Sequence, residues 1–187
     1  IVGNASDDAR TLLRLVNKVG NDLMLTVDWQ ILRKEQTFSA LAQEVQTSIL
    51  PSDFNRFVPV TFYNRNTGQN IEGPIQSSEW QQIKANAGVA AQPYFIYRGG
   101  VVSILPTLTA GHTLAFEYIS NQWAQSSTAT PQTSLQADTD TGVIDEDLIT
   151  LGAIFEYLQS EGQPSEVAYD MYRSRREALV NSDQRNS

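Results

Sequence analysis

Cysteine is absent from the 187 residues, so neither disulfides nor thiolate metal sites hold this fold. The single histidine, His112, leaves almost no room for imidazole catalysis or a histidine-rich metal centre. Glycine and proline, 11 and 7 residues, are too few for a fibrous or low-complexity chain. No apolar run approaches the roughly 18 residues that a membrane span needs. Positive charge is also scarce: 13 Lys+Arg stand against 21 Asp+Glu, a formal charge of −8. An acidic surface repels phosphates, which argues against a nucleic-acid clamp and suits a conduit better. The first residues, Ile1-Val2-Gly3, carry neither an initiator Met nor a signal-peptide pattern and read as a processed or trimmed start.

What is present suffices for a core. Hydrophobic residues make up 41% of the chain, with seven Phe, seven Tyr and three Trp, and a chain of this length buries roughly 70% of its unfolded surface. Length and pattern predict a single α+β domain over 1–187, with a central antiparallel β-sheet region and one short inserted helix. N-terminal helices (1–29) and a C-terminal helical pair (143–187) flank the β-rich region (30–123) and a flexible linker or arm (124–142).

Local signals set these bounds. Ser6 caps a first helix, Asp7 and Asp8 sit at its positive pole, and Gly20 offers a stop. Leu12, Val16, Val19 and Leu23 form its stripe, and a second helical stretch runs from Asp22 to Trp29. Two short strands are expected between Gln30 and Leu50, and a longer one over Phe57–Tyr63, turned by the cluster Asn64–Gly68. Ser78 with Gln81 matches a capping box for a short helix ending near Gly88. Gly99-Gly100 joins Pro93–Arg98 to Val101–Leu105 as a hairpin. Thr113–Ser120 is a strand with Leu114, Phe116 and Tyr118 on one face. Eight of the 19 residues over 124–142 are Ser or Thr, with Leu135 the one large apolar side chain, too little to offset its ordering entropy. Asp145 caps the next helix, with Ile144 and Ile149 as a staple and Leu148, Leu151, Phe155 and Leu158 as its stripe. Gly162 and Pro164 break the chain, and Ser165 opens the last helix. That helix carries an apolar line Val167, Met171, Ala178, with Ala168, Tyr172 and Leu179 beside it; the tail 181–187 is polar and reads as frayed.

Chemistry is hard to find in this pattern. No G-x-S-x-G elbow accompanies His112, which reads as a loop histidine making one hydrogen bond. Glu35, Asp53, Glu72, Glu79 and Glu117 are possible members of a carboxylate pair, but spacing along the chain says nothing about their separation in space, and 21 acids guarantee such candidates. Asp138-Thr139-Asp140-Thr141-Gly142 hints at a calcium loop and fails, because glycine falls at position five and Ile149 at twelve. Asn4-Ala5-Ser6 is formally a glycosylation sequon, yet Ser6 already has a capping role. Trp29, Trp80 and Trp123 are core residues by default and interface anchors otherwise. Arg173, Arg175 and Arg176, with Tyr169 and Tyr172, form the densest basic cluster, suited to an acidic partner surface or to a solvated helix face. These residues predict no catalytic, cofactor-binding or metal-binding site. Assembly is favoured over chemistry.

Two stretches carry a resemblance. Leu50-Pro51-Ser52-Asp53-Phe54, Val60-Thr61-Phe62-Tyr63-Asn64-Arg65, Gly73-Pro74, Glu79-Trp80 and Ile83-Lys84 form the first. Tyr97-Arg98-Gly99-Gly100, Leu105-Pro106, Ala110-Gly111 and Phe116-Glu117-Tyr118-Ile119-Ser120 form the second. In that order, over about residues 5 to 180, the chain resembles the bacteriophage head-to-tail adaptors, also described as portal adaptors or tail accessory factors. The resemblance implies a virion protein assembled in the host cytoplasm, a ring of copies (usually a dodecamer) beneath the portal protein. Such a ring extends the channel through which genomic double-stranded DNA passes without sequence-specific binding, and it meets the next tail or nozzle protein. It further implies that Tyr169, Tyr172, Arg173, Arg175 and Arg176 dock against the portal, that 124–142 is an inter-subunit arm, and that neither membrane nor cofactor is involved. Two alternatives stand beside it. A peptidoglycan-degrading tail enzyme would depend on Glu35, Glu72 or Glu79. A host glycan- or receptor-binding module would use an exposed Trp80 or Trp123.

Overall fold

A computed structural model describes residues 7–86 and 92–185. The roles assigned to Ser6 and Gly88, and the sequon at 4–6, lie outside the described residues. The fold is α+β, with a helix at the N-terminal end, antiparallel sheets in the middle and a helical pair at the C-terminal end. The chain divides into two compact units, one made of Ile1–Arg33 with Ser120–Ser187, the other of Lys34–Ile119.

The first unit is helical. Helix α1 (Asp7–Thr26) is continuous; Gly20, expected to end it, lies inside it and is buried. A Cβ at Gly20 would sit 2.5 Å from Cζ2 of Trp123 and closer still to Cζ3 and Cη2, so glycine here makes room for the indole. The inward stripe is Leu15, Val19, Gly20, Leu23 and Met24, while Leu12 is exposed and Val16 only half-buried. Beyond α1, the Trp29 indole N–H donates to the Leu23 carbonyl at 3.1 Å, which also accepts from the Val27 backbone N–H at 3.2 Å. A single 3₁₀ turn follows at Gln30–Leu32.

Across 124–142, read as a linker, the chain forms β9 (Ala124–Gln125), β10 (Pro131–Gln132) and β11 (Thr141–Gly142), an antiparallel sheet ordered β10-β9-β11. Polar side chains supply the ordering that hydrophobic content does not. Asp140 accepts from the backbone N–H groups of Gln136 and Ala137, at 2.7 and 2.9 Å. Asn17 of α1 both donates to and accepts from the backbone of Leu135. Helix α3 (Glu146–Ser160) then packs against α1 and against α4 (Glu166–Arg185). The tail expected to fray is helical to Arg185, and its Asp183 carboxylate accepts from the backbone N–H of Gln30 at 3.0 Å.

The second unit is β-rich. Strands β1 (Arg33–Ser39), β4 (Tyr63–Asn64), β5 (Gln69–Asn70) and β8 (Thr113–Ser120) are ordered β1-β8-β4-β5, with β3 (Phe54–Phe57) also paired to β8. A second sheet is ordered β2-β7-β6, from β2 (Val45–Gln46), β7 (Val101–Leu105) and β6 (Tyr94–Arg98). The single strand expected over 57–63 is interrupted: Pro59 cannot donate to a ladder, and Val60 adopts φ +62°, so β3 and β4 are separate. In the β6–β7 hairpin, Arg98 pairs with Val101 across Gly99 (φ +55°) and Gly100 (φ +82°), the left-handed turn that this dipeptide permits. Phe62, Phe95 and Phe116 are buried at the centre, ringed by Phe38, Phe54 and Phe57 mostly edge to face. Helix α2 (Ser77–Ala85) covers the second sheet through Trp80 against Ile96 and Leu105. Gln76, not Ser78, is its N-cap, and no side chain caps it.

Candidate functional site

Asp145 ties the two C-terminal helices together. As N-cap of α3, its carboxylate accepts from the Leu148 backbone N–H at 2.8 Å, the expected cap. Ile144 and Ile149 are both buried beside it. The same carboxylate takes two hydrogen bonds from Arg175, at 3.2 Å from Nε and 2.7 Å from Nη2, the forked geometry only arginine offers. That guanidinium, together with the Leu148 N–H, holds the Asp145 carboxyl below the usual carboxylate range even though burial opposes it. Arg175 also lies 3.7 Å from Asp147 and lines, with Asp147, Thr150 and Leu151, an open depression of about 300 Å³.

The five residues of the basic-aromatic cluster divide between two faces of α4. Tyr172 lies over Gly152, where a Cβ would come within 3.0 Å of its ring; burial raises its phenol above the ordinary tyrosine value. Arg176 donates to the Thr26 hydroxyl at 3.2 Å. With Arg175, these residues fasten α4 to α1 and α3. Tyr169 and Arg173 sit further round: Tyr169 is exposed while its ring rests 5.2 Å from that of Phe155, and Arg173 makes an exposed pair with Glu177 at 2.8 Å.

The two parallel apolar lines of α4 fare differently. Ala168, Tyr172 and Leu179 are half-buried, whereas Val167 is 75% exposed, Met171 54% exposed and Ala178 exposed. No residue of α4 is fully buried. Sequence reasoning named the line Val167–Met171–Ala178 without seeing that it points outward. The available signal was the geometry of 100° per residue, which places the line roughly 100–140° round the helix from the inward-facing Tyr172. Ile154 and Tyr157 of α3 are exposed apolar residues as well.

In the β-rich unit, His112 makes the one side-chain hydrogen bond expected of it, to the Asn64 amide at 3.0 Å. Glu35 is ion-paired with Arg65. Asp53, 8% exposed, accepts from Lys34 at 2.6 Å and from the Tyr118 hydroxyl at 3.0 Å. Glu72 and Glu79 line one cleft, and Glu35 and Glu117 line another. All three tryptophans are buried, Trp80 and Trp123 almost completely; this removes the exposed indoles on which the glycan- or receptor-binding reading depended. Among the described residues no group of His, Cys, Asp or Glu could hold a metal ion, and none of the helices is long and apolar enough to cross a membrane.

The acidic excess is unevenly shared. The helical unit carries 8 Lys+Arg against 15 Asp+Glu, a formal −7, and the β-rich unit 5 against 6, a formal −1. No curated protein matches the sequence. A family model described as the SU10 adaptor protein matches residues 1–187, the full sequence. With its α+β fold, its fastened C-terminal helical pair and a match over every residue, the chain belongs to the SU10 adaptor protein family, phage head-to-tail adaptors that are structural components of the virion.

Proposed function

We propose that this adaptor forms a ring of copies, a dodecamer, below the portal protein, joining capsid to tail and extending the channel for the outgoing genome. The family match over the full length carries this reading. Several features support it. The helical unit's formal −7 suits a wall past which DNA must slide, since like charge opposes lasting phosphate contacts. In this reading portal docking belongs to α4. Tyr169 and Arg173 on one flank of the helix, and the outward Val167 and Met171 on the other, supply the contact. Tyr172, Arg175 and Arg176 position the helix through Gly152, Asp145 and Thr26. The span 124–142 serves as an inter-subunit arm, and the face opposite the portal receives the next tail protein.

Mixing the protein with portal rings and imaging the product tests the proposal. A second ring stacked on the portal is expected, and loss of that layer in Met171→Asp with Tyr169→Ala would assign docking to α4. A protein that stays monomeric and leaves portal rings bare contradicts it.

A further inference from the structure

The β-rich unit carries a protrusion and a cleft whose chemistries match. The protrusion is the tip of the β6–β7 hairpin, where exposed Arg98 and Val101 flank the Gly99-Gly100 turn. Of the unit's five cations, Lys34, Arg65 and Lys84 face Asp53, Glu35 and Glu44. Arg98 has no carboxylate or hydrogen-bond partner among the described residues. Its guanidinium offers five donors and accepts nothing.

The cleft, of about 320 Å³, has the reverse composition. Val60 and Ile75 contribute apolar wall, and Glu72 and Glu79 contribute two carboxylates that no cation meets among the described residues. Asn70 also lines it, and its Oδ1 is shut off from solvent without a hydrogen-bond partner. A buried acceptor left open is costly. Val60 adds a second cost: it is a β-branched residue held at φ +62°, where glycine would rest freely, and it exposes 70% of its surface. Backbone strain of this kind persists where a contact makes use of it.

A chain cannot fill its own cleft with its own hairpin. Glu72 bridges Tyr94 at the base of β6, and four residues at about 3.3 Å each put Arg98 about 13 Å further along a strand that β7 holds straight. The occupant must come from another molecule. We infer that the Arg98–Val101 tip of one copy inserts into the Val60–Ile75 cleft of the next, its guanidinium meeting Glu72 and Glu79. Two different patches joined head to tail propagate around an axis, the contact type that closes into rings. This deepens the adaptor reading and rests on it.

Exchanging the charges tests the inference, with the wild type, Arg98→Glu, and the pair Glu72→Lys with Glu79→Lys each measured by sedimentation and by loading onto portal rings. Each variant alone should associate at least about tenfold more weakly than wild type. An equimolar mixture should recover association, because each copy's tip then faces a cleft of opposite sign; recovery also shows that both variants are folded. The cysteine-free background allows a second readout, in which Gly99→Cys with Gln76→Cys should form an intermolecular disulfide ladder on oxidation. If the wild type assembles while Arg98→Glu assembles equally well, or the mixture recovers nothing, this contact is wrong and the adaptor reading stands. A wild type that neither self-associates nor loads onto portal rings overturns both.

Discussion

Gly20→Ala separates two opposing effects on α1. Helix propensity alone favours alanine over an interior glycine by about 1 kcal/mol. Packing says the opposite, because the new Cβ would lie 2.5 Å from Cζ2 of Trp123. The indole cannot easily yield: it is fully buried, and its N–H donates to Asn21 at 3.0 Å. Overpacking of a fixed core side chain costs about 1–3 kcal/mol, with more where backbone must shift. The net expectation is destabilisation of about 1–2 kcal/mol, a fall in Tm of roughly 2–8 °C for a chain of this size. Thermal unfolding followed by far-UV circular dichroism and by tryptophan fluorescence measures it, the latter reporting on Trp123 itself. A double-mutant cycle sharpens the test. In a Trp123→Phe background the far edge of the indole is gone, and Gly20→Ala should become neutral or stabilising by up to about 1 kcal/mol. A Gly20→Ala protein that melts above wild type would refute the account of why glycine occupies this position.

Further outcomes concern the polar contacts. Asp145→Ala removes both the α3 cap and the fork to Arg175 and should lower stability by about 1–2 kcal/mol at neutral pH, read from urea midpoints. Because the folded-state Asp145 carboxyl lies below its ordinary value, chiefly through Arg175, its contribution is present above about pH 4 and is lost as pH falls towards the folded-state value. The gap between wild type and variant should therefore narrow at pH 3, and an unchanged gap would show that the pair contributes nothing. Tyr118→Phe takes one donor from buried Asp53 and should cost about 1 kcal/mol. Burial first, then the Asp53 hydrogen bond, raises the Tyr118 phenol. Its contribution is thus present below the usual tyrosine value near 10 and lost as pH rises beyond it, so alkaline unfolding should be less steep in the variant.

The parts of the fold written in local chemistry were legible. The Gly99-Gly100 hairpin, the strand Thr113–Ser120, the Asp145 cap and the helical pair follow from turn residues, alternation and capping within a few positions. What the sequence hid depends on distant partners. Gly20 reads as a stop until Trp123, 103 positions later, is seen to rest on it. The span 124–142 reads as a linker because hydrophobic content cannot count the hydrogen bonds that Asn17 and Asp140 make there. Asp53 stands among surface acids in the sequence and is buried between Lys34 and Tyr118 in the fold. The docking candidates show the same limit: composition grouped Tyr169, Tyr172, Arg173, Arg175 and Arg176 together, and helix geometry assigned three of them to internal contacts.

The central claim is that copies of this chain encircle the DNA exit path between portal and tail. An averaged cryo-electron map of the neck of intact particles tests it most directly. The account requires a closed ring of this α+β fold directly beneath the portal, open along its axis, with α4 turned to the portal. Density for the chain elsewhere in the particle, or as isolated subunits away from the axis, would contradict it.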